Sequence, residues 1–339
     1  MWLNEILQRQ GYDTNTVERI RITHVHDEQL HSISYRFEAQ WQRDTPRTVP
    51  TCFFLKLPRR PDAEGVSSAG AHEVAVYQFL ASHAAALPIV PCYDAVYDAE
   101  QRRYHLLLAD LSHSHDQPTW HLTIGDSYVQ RTVDCLAQLH AYWWDRSELC
   151  RPVATLPTAE QIAADVEQVQ TALPRFVAAA GELLTPNDIQ LYERIVHAAP
   201  GLWERRLAPQ HPTLAHGDAH FWNFLYPHAD STEPTYVLDW PQAHIDWGVS
   251  DLAYTLVLRY PHRTRANEHT LVQRYHVALT QHGVTYSWDE CWRDYCRAAV
   301  EQMLVPIQWC GYRLPEALWK LFIPRTLAAY RDLAGEAAG

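Results

Sequence analysis

The chain of 339 residues is 47% hydrophobic and 20% charged, the composition of a globular protein large enough for two domains. Its formal net charge of −12, without any block of Lys or Arg, predicts neither a nucleic-acid partner nor a membrane surface as partner. The seven cysteines are scattered without a C-x-x-C pair, and the first residues lack the pattern of a signal peptide. We therefore expect a cytoplasmic protein with reduced thiols.

The N-terminal third of the chain predicts a small α+β lobe. Short β-branched and aromatic runs within residues 17–57 favour an antiparallel meander. The segment AHEVAVYQFLASHAA, which begins at Ala71, has helical spacing, and LPIVPCYDAVYDAEQRRYHLLLADLS predicts two more strands around a turn at 98–102. We predict an N-terminal nucleotide-binding lobe over residues 1–110, built mainly of sheet with one helix.

The rest of the chain predicts a larger, mainly helical lobe over residues 111–339. Three segments with helical spacing begin near residue 127, near residue 158 and near residue 186. Residues 211–247 differ from them, because FLYP and TYVLDW on either side of a polar turn are typical of a β-hairpin. Helical spacing then resumes to about residue 335. No motif can be assigned to this Trp-rich tail.

The segment LAHGDAHFWN, residues 214–223, concentrates polar side chains in one short loop after a predicted strand. Asp218 and Asn223 lie on this loop, and Asp239 ends the second strand of the predicted hairpin. If the hairpin closes, two carboxylates and one amide oxygen meet at one place. Oxygen ligands that leave coordination positions open suit Mg²⁺. An arrangement of two carboxylates and an amide serves phosphoryl transfer, in which one carboxylate receives the substrate proton.

HGDAHFWN followed by VLDW resembles the aminoglycoside phosphotransferase and choline kinase family, whose members are related to protein kinases. The resemblance implies a bilobal protein-kinase-like fold and the use of ATP with Mg²⁺. It also implies that Asp218 is the catalytic base, that Asn223 and Asp239 bind the metal, and that His216 organises the loop. Gly217 would permit a close approach of the backbone.

Other segments resemble further parts of the family pattern. FFLKLP offers Lys56 and AHEVAVYQFL offers Glu73, the strand lysine and helix glutamate that such kinases pair. Lys320 is the one other lysine in the chain. LLLADLS resembles the hinge between the lobes, where the backbone of Ala109–Leu111 would meet the adenine. In DLAY, Asp251 would brace the catalytic loop through backbone hydrogen bonds.

One part of the pattern is missing. No glycine lies between Gly11 and Gly65, so the turn near DEQLHSIS has no glycine to cradle phosphates. Hydroxyl or amide groups around His31 and Ser32 would have to contact the phosphates instead. The resemblance covers residues 19–254.

The sequence therefore predicts an ATP- and Mg²⁺-dependent phosphotransferase that moves the γ-phosphate to a hydroxyl of a small molecule. An aminoglycoside-like compound, an amino alcohol, a sugar or another alcohol all remain open as acceptor, and so does the oligomeric state. The missing glycines favour one alternative, a non-catalytic nucleotide-binding module. A metal-dependent hydrolase is the other alternative, for which the candidate ligands would be His211, His216, His220 and His228.

Overall fold

The computed structural model describes residues 2–27, 32–59, 66–83, 85–119, 124–229 and 231–337, with the backbone alone for Val66 and Ser67. The chain forms two compact units. The first unit comprises Met1–Gln117 and Trp222–Ala243, and the second comprises Pro118–Phe221 and His244–Gly339. The lobe ranges predicted from the sequence, 1–110 and 111–339, are contiguous, whereas each compact unit is built from two segments.

Strands dominate the first unit and helices the second. The strands are β1 Val17–His26, β2 Ser32–Trp41, β3 Cys52–Pro58, β4 Cys92–Asp98, β5 Arg103–Ala109, β6 His115–Asp116, β7 Pro212–Ala215, β8 Phe224–Pro227, β9 Tyr236–Val237 and β10 His244–Trp247. The helices are α1 Trp2–Arg9, α2 Val66–Ala81, α3 Asp126–Trp143, α4 Ala159–Ala180, α5 Pro186–Glu204, α6 Gly248–Ala253, α7 Arg265–Gln281, α8 Trp288–Glu301, α9 Leu304–Gly311, α10 Glu316–Lys320 and α11 Phe322–Ala337. A π-helical segment, Tyr254–Arg259, follows α6 directly.

The first unit contains a five-stranded antiparallel sheet in the order β1-β2-β3-β5-β4. Its register places Lys56 of β3 between Ser34 of β2 and Leu106 of β5. The predicted strands and the predicted helix α2 are confirmed. Helix α1 was not predicted, although Leu3, Ile6 and Leu7 follow a helical period and are buried against the sheet. β8 and β9 form the predicted hairpin, which pairs with β6.

Helix α2 lies very close to the sheet because it carries a glycine at the point of contact. A Cβ atom added to Gly70 would lie 2.3 Å from ring atoms of Tyr104, which stands on β5. A methyl group does not fit at that distance without moving the helix or the ring. Glu73 follows one turn later on α2, so the same close approach sets how far its carboxylate stands from β3.

We predict that Gly70→Ala lowers the free energy of unfolding by about 1–3 kcal/mol, because the new methyl group overpacks the contact with Tyr104. Urea denaturation of the purified protein measures this. Gly201→Ala is the matched control, since a Cβ there has no neighbour within 4 Å. Gly201 is an exposed residue of α5. Its replacement should be neutral or stabilise by up to about 1 kcal/mol. Equal effects of the two substitutions would contradict the packing argument.

The second unit is mainly helical, as predicted. Four of its helices begin with a capping box, in which a hydroxyl side chain and the residue three positions later satisfy each other's backbone N–H groups. The capping residues are Thr158 of α4, Thr185 of α5, Thr264 of α7 and Ser287 of α8. None of the described helices is both long and apolar enough to cross a membrane.

A two-stranded ribbon positions the loop that follows β7. β7 pairs with β10 in antiparallel register, with Ala215 opposite His244 and Pro212 opposite Trp247. The segment HGD therefore leaves the ribbon at the end where β10 begins, and α6 starts directly after β10. The start of α6 therefore lies at the opposite end of the ribbon from the HGD loop, and Asp251, in the middle of this short helix, makes the contact with the loop.

Candidate active site

The HGD loop is held by one carboxylate from α6. Asp251 accepts hydrogen bonds from the backbone N–H of His216 at 2.6 Å and from that of Gly217 at 2.9 Å. Gly217 has a φ of 79°, a left-handed conformation that L side chains adopt at a cost, so glycine suits this turn. The predicted brace between Asp251 and the loop backbone is confirmed.

A buried histidine orients the bracing carboxylate. His140 of α3 is fully buried, and its Nε2 lies 3.1 Å from Oδ2 of Asp251. A carboxylate accepts only, so this nitrogen carries the proton. The other ring nitrogen, Nδ1, lies 2.8 Å from the hydroxyl of Tyr275. Gly248 leaves room for the pair, since a Cβ there would lie 2.3 Å from the Tyr275 hydroxyl.

These contacts set the charge of Asp251. Burial acts to raise the pKa of its carboxyl group. The hydrogen bond and the charge of His140, together with the contacts with His216, lower the pKa by more than burial raises it. The net result is a pKa below the ordinary value. Asp251 is therefore a buried anion that is stabilised by the loop it holds.

We predict that Asp251→Asn destabilises the protein by roughly 2–3 kcal/mol at neutral pH, because an amide cannot accept from both backbone N–H groups. The pKa of Asp251 is lower in the folded chain than in the unfolded chain, where it is about 3.9. Its stabilising contribution is thus complete above that value and is lost as the pH falls through the folded pKa. The difference between wild type and variant should therefore shrink below about pH 4.

Urea denaturation at several pH values measures this difference. Asp44→Asn, at an exposed turn position, is the control and should leave the free energy of unfolding nearly unchanged. A difference between wild type and Asp251→Asn that stays constant into the acid range would mean that the Asp251 charge does not brace the loop.

Asp218 is contacted through both of its carboxylate oxygens. The hydroxyl of Tyr254 lies 2.5 Å from Oδ1, and Nη2 of Arg259 lies 4.0 Å from the same oxygen. Nε2 of His220 lies 3.4 Å from Oδ2, and the Asp218 side chain is 30% exposed. Thr255 donates to the carbonyl of Ala219 at 2.5 Å, which fixes the loop just beyond the carboxylate.

The surroundings keep Asp218 ionised. Burial acts to raise the pKa of its carboxyl group, but the charge and hydrogen bond of His220, the charge of Arg259 and the Tyr254 hydroxyl outweigh burial. The pKa of Asp218 therefore lies below its ordinary value. At neutral pH the side chain is an anion, the form that can accept a hydroxyl proton.

Lys56 is held between two carboxylates within the first unit. Its Nζ lies 2.8 and 2.9 Å from the two oxygens of Glu73 and 2.6 Å from Oδ1 of Asp239. Burial acts to lower the pKa of Lys56, but the Asp239 and Glu73 charges raise it well above its ordinary value. The predicted pair of strand lysine and helix glutamate is thus present, with a second carboxylate on the same ammonium group.

The closed hairpin places the two candidate metal ligands on neighbouring strand ends. Phe224 lies opposite Val237, and the N–H of Leu238 donates to the carbonyl of Asn223 at 3.0 Å. Asp239 follows with a φ of 70°, a strained conformation for a residue with a side chain. The closed hairpin thus places Asn223 and Asp239 near the same end of neighbouring strands, and their role as metal ligands stays a prediction.

A hydroxyl from α2 helps to hold Asp239. The backbone N–H of Asp239 donates to the hydroxyl of Tyr77 at 3.4 Å. Tyr77 stands one turn after Glu73 on the same helix, so one face of α2 contacts both Lys56 and Asp239. Carboxylate and amide oxygens are ligands that Mg²⁺ prefers, and the donor set of Asn223 and Asp239 fits that metal.

The remaining predicted binding residues also lie in the first unit. Ala109 ends β5 and Leu111 follows it, and the carbonyl of Leu111 accepts from the backbone N–H groups of Ser114 and His115. Ser32 is a buried residue that begins β2. His31 lies outside the described residues. The nucleotide contacts assigned to these residues stay predictions.

Four residues around Asp218 and Asp251 were missed in the sequence as contributors to the site: His140, His220, Tyr254 and Arg259. Three sequence segments could have pointed to three of them. LAQLHAYWW, in the predicted helix that begins near residue 127, contains His140, and Tyr254 directly follows the Asp-Leu-Ala that contains Asp251. His220 lies inside the loop motif itself. Arg259 has no sequence signal, because its approach depends on the π-helical geometry of its segment.

The histidines that suggested zinc do not converge. Within the part of the chain that the structure describes, no group of three or more His, Cys, Asp or Glu side chains is arranged to hold a metal ion. His216 instead accepts a hydrogen bond at Nδ1 from the backbone N–H of Asp218 at 3.2 Å. His211 lies 3.0 Å from Asp145.

Comparison with solved structures identifies the fold. Macrolide 2′-phosphotransferase MphH from Brachybacterium faecium is 20% identical, with a TM-score of 0.54 over 98% of this chain and 97% of that one. Aminoglycoside 2′-phosphotransferase-IIIa, solved with GDP, is 11% identical, with a TM-score of 0.56 over 98% of each chain. Ethanolamine kinase from Plasmodium vivax is 9% identical, with a TM-score of 0.56 over 94% of this chain and 83% of that one.

Comparison at the sequence level identifies the family. No curated protein sequence matches the chain. The model of the phosphotransferase enzyme family matches residues 32–285, which is most of the chain. The protein therefore belongs to the phosphotransferase enzyme family and is a small-molecule kinase with a protein-kinase-like fold.

Proposed function

We propose that the protein transfers the γ-phosphate of ATP, bound with Mg²⁺, to a hydroxyl group of a small molecule. The observation that carries this proposal is the contact of 2.6 Å between Lys56 and Asp239, beside Asn223 on the neighbouring strand end. The candidate cation for phosphate and the two candidate oxygen ligands for a metal thus belong to one compact unit. Family membership supports the same chemistry.

Asn223 and Asp239 would hold the metal ion, and Lys56 would contact a phosphate group of the nucleotide. Bound Mg²⁺ neutralises charge on the β- and γ-phosphates. Glu73 contacts the Lys56 ammonium through both of its oxygens and would keep Lys56 in place if Asp239 held a metal ion. Because phosphoryl transfer needs little covalent chemistry from the protein, placing these charges supplies much of the catalysis.

Asp218 would orient the acceptor hydroxyl and receive its proton. The acceptor O–H bond breaks as the oxygen bonds to the γ-phosphorus, and the bond to the leaving nucleoside diphosphate breaks with its electron pair. The proton goes to the Asp218 carboxylate. Proton transfer comes late in a loose transition state, so a carboxylate of lowered pKa can serve.

The nucleotide base would lie against the backbone of Ala109 and Leu111, with Ser32 near the phosphates. Since one structural neighbour was solved with GDP, both ATP and GTP belong in a test of nucleotide preference. The names of the neighbours include a macrolide, an aminoglycoside and ethanolamine as acceptors. We propose an acceptor from the same broad range: an aminoglycoside-like compound, an amino alcohol, a sugar or another alcohol. A cytoplasmic location is supported by seven free cysteines.

We predict that the protein consumes nucleotide in the presence of Mg²⁺ and one member of a panel of hydroxyl compounds. Asp218→Asn should lower kcat by about 10²- to 10⁴-fold, with little change in the KM for nucleotide, because the base acts on the acceptor. Asp239→Asn should instead weaken the binding of the metal–nucleotide complex, since it removes a charged ligand. Release of nucleoside diphosphate and ³¹P NMR of the phosphorylated product measure both effects.

Asp289→Asn, at an exposed position of α8, is the control for loss of a single negative charge and should behave as wild type. Thermal stabilisation by Mg²⁺ and ATP without turnover on any acceptor would favour the non-catalytic nucleotide-binding module instead. Turnover by Asp218→Asn at the wild-type rate would remove Asp218 from the mechanism.

A further inference from the structure

The segment after α6 departs from α-helical geometry at the residues that face Asp218. Tyr254–Arg259 is π-helical, and Tyr254 and Arg259 are its two ends. In an α-helix, side chains five positions apart point about 140° away from each other, whereas the wider π turn brings them closer to one side. Here Nη2 of Arg259 lies 2.6 Å from the hydroxyl oxygen of Tyr254. π-Helical segments are rare in proteins, and those that occur are often found at functional sites.

The direction of the hydrogen bonds follows from the chemistry of the groups. A guanidinium group only donates, so Arg259 donates to the oxygen of Tyr254. The single proton of the Tyr254 hydroxyl is then directed to Oδ1 of Asp218, at 2.5 Å. This distance is typical of a hydroxyl that donates to an ionised carboxylate. Arg259 and Tyr254 therefore form a chain of two hydrogen bonds that run in one direction and end on Asp218, which accepts.

The arginine at the head of this chain is held by aromatic rings. Its guanidinium carbon lies 4.8 Å from the ring centre of Phe322, 5.1 Å from that of Tyr254 and 5.4 Å from that of Trp309. Arg259 is only 6% exposed. Phe322 and Trp309 belong to α11 and α9, so two further helices fix the cation through favourable contacts with ring faces.

We propose that Tyr254 and Arg259 are positioning residues for the catalytic base, an inference that rests on the proposed function. They fix Oδ1 of Asp218, and so assign the acceptor proton to Oδ2, the oxygen that lies 3.4 Å from His220. Arg259 keeps Tyr254 donating, and Tyr254 keeps the carboxylate in one orientation and ionised. Neither residue exchanges a proton with the substrate.

Steady-state kinetics with the acceptor found for wild type give the first test. Tyr254→Phe should lower kcat by about 10- to 100-fold and leave the KM for nucleotide unchanged. Misorientation of the Asp218 carboxylate relative to the acceptor hydroxyl slows the reaction more than it weakens binding. Arg259→Met should have a similar effect, and Arg259→Lys should recover part of the rate because lysine still donates and carries charge. Tyr286→Phe is the control, because its hydroxyl also donates to a carboxylate, Asp294, at 2.7 Å.

Titration of the Asp218 carboxyl group in the substrate-free protein gives the second test. In protein labelled with ¹³C at the aspartate carboxyl carbons, the signal that disappears in Asp218→Asn identifies this residue. Tyr254→Phe and Arg259→Met should raise its titration midpoint, because the anion loses a hydrogen bond, and the acid limb of the kcat profile should move to higher pH by a similar amount. Tyr286→Phe should leave both unchanged.

The two tests separate this inference from the proposed function. An unchanged Asp218 titration in Tyr254→Phe would overturn the positioning role, whether or not the enzyme is active. A wild-type protein that phosphorylates no alcohol would overturn the proposed function, and the titration would still decide whether Tyr254 and Arg259 act on Asp218. Loss of kcat without any shift of the pH profile would indicate a merely structural role and would also contradict the proposal.

Discussion

A single ammonium group shared by two carboxylates is the interaction on which the candidate nucleotide-binding residues of the first unit depend. Lys56 comes from the middle of a buried strand, Glu73 from a helix that a glycine allows close to the sheet, and Asp239 from a strained position after a hairpin. Glu73 and Lys56, whose side chains are 3% and 14% exposed, could not stand there alone, because an unpaired charge costs several kcal/mol when it is removed from water. The sheet, α2 and the hairpin are thus bound to one another by charge as well as by apolar packing.

The HGD loop of the second unit is organised by the same principle with other residues. Asp251 is a buried anion that is stabilised by backbone N–H groups of the HGD loop and by His140. Asp218 is more exposed, and a hydroxyl and an arginine stabilise it through one oxygen. The second unit therefore holds one buried carboxylate, Asp251, and one partly exposed carboxylate, Asp218, which is the candidate base. A single chemical group serves both purposes, and its partners decide which.

The sequence predicted the elements well because their signals are local. Alternation in β1–β5, helical spacing in α3, α4 and α5 and the turn between β8 and β9 depend on neighbouring residues alone. The Lys56–Glu73 pair and the Asp251 brace were found through the family resemblance, which fixes their order along the chain. Arg259 could not be found, because its position depends on a π-helical turn and on rings from α9 and α11. Helix α1 was missed because it has only two turns.

The most direct test of the account is a crystal structure of the protein with Mg²⁺ and a non-hydrolysable ATP analogue. We expect the metal ion to be bound by Asn223 and Asp239, with Lys56 bonded to a phosphate oxygen while it keeps its contact with Glu73. A structure in which Asp239 remains bonded to Lys56 alone, with the metal ion and the phosphates bound at other side chains, would contradict the account.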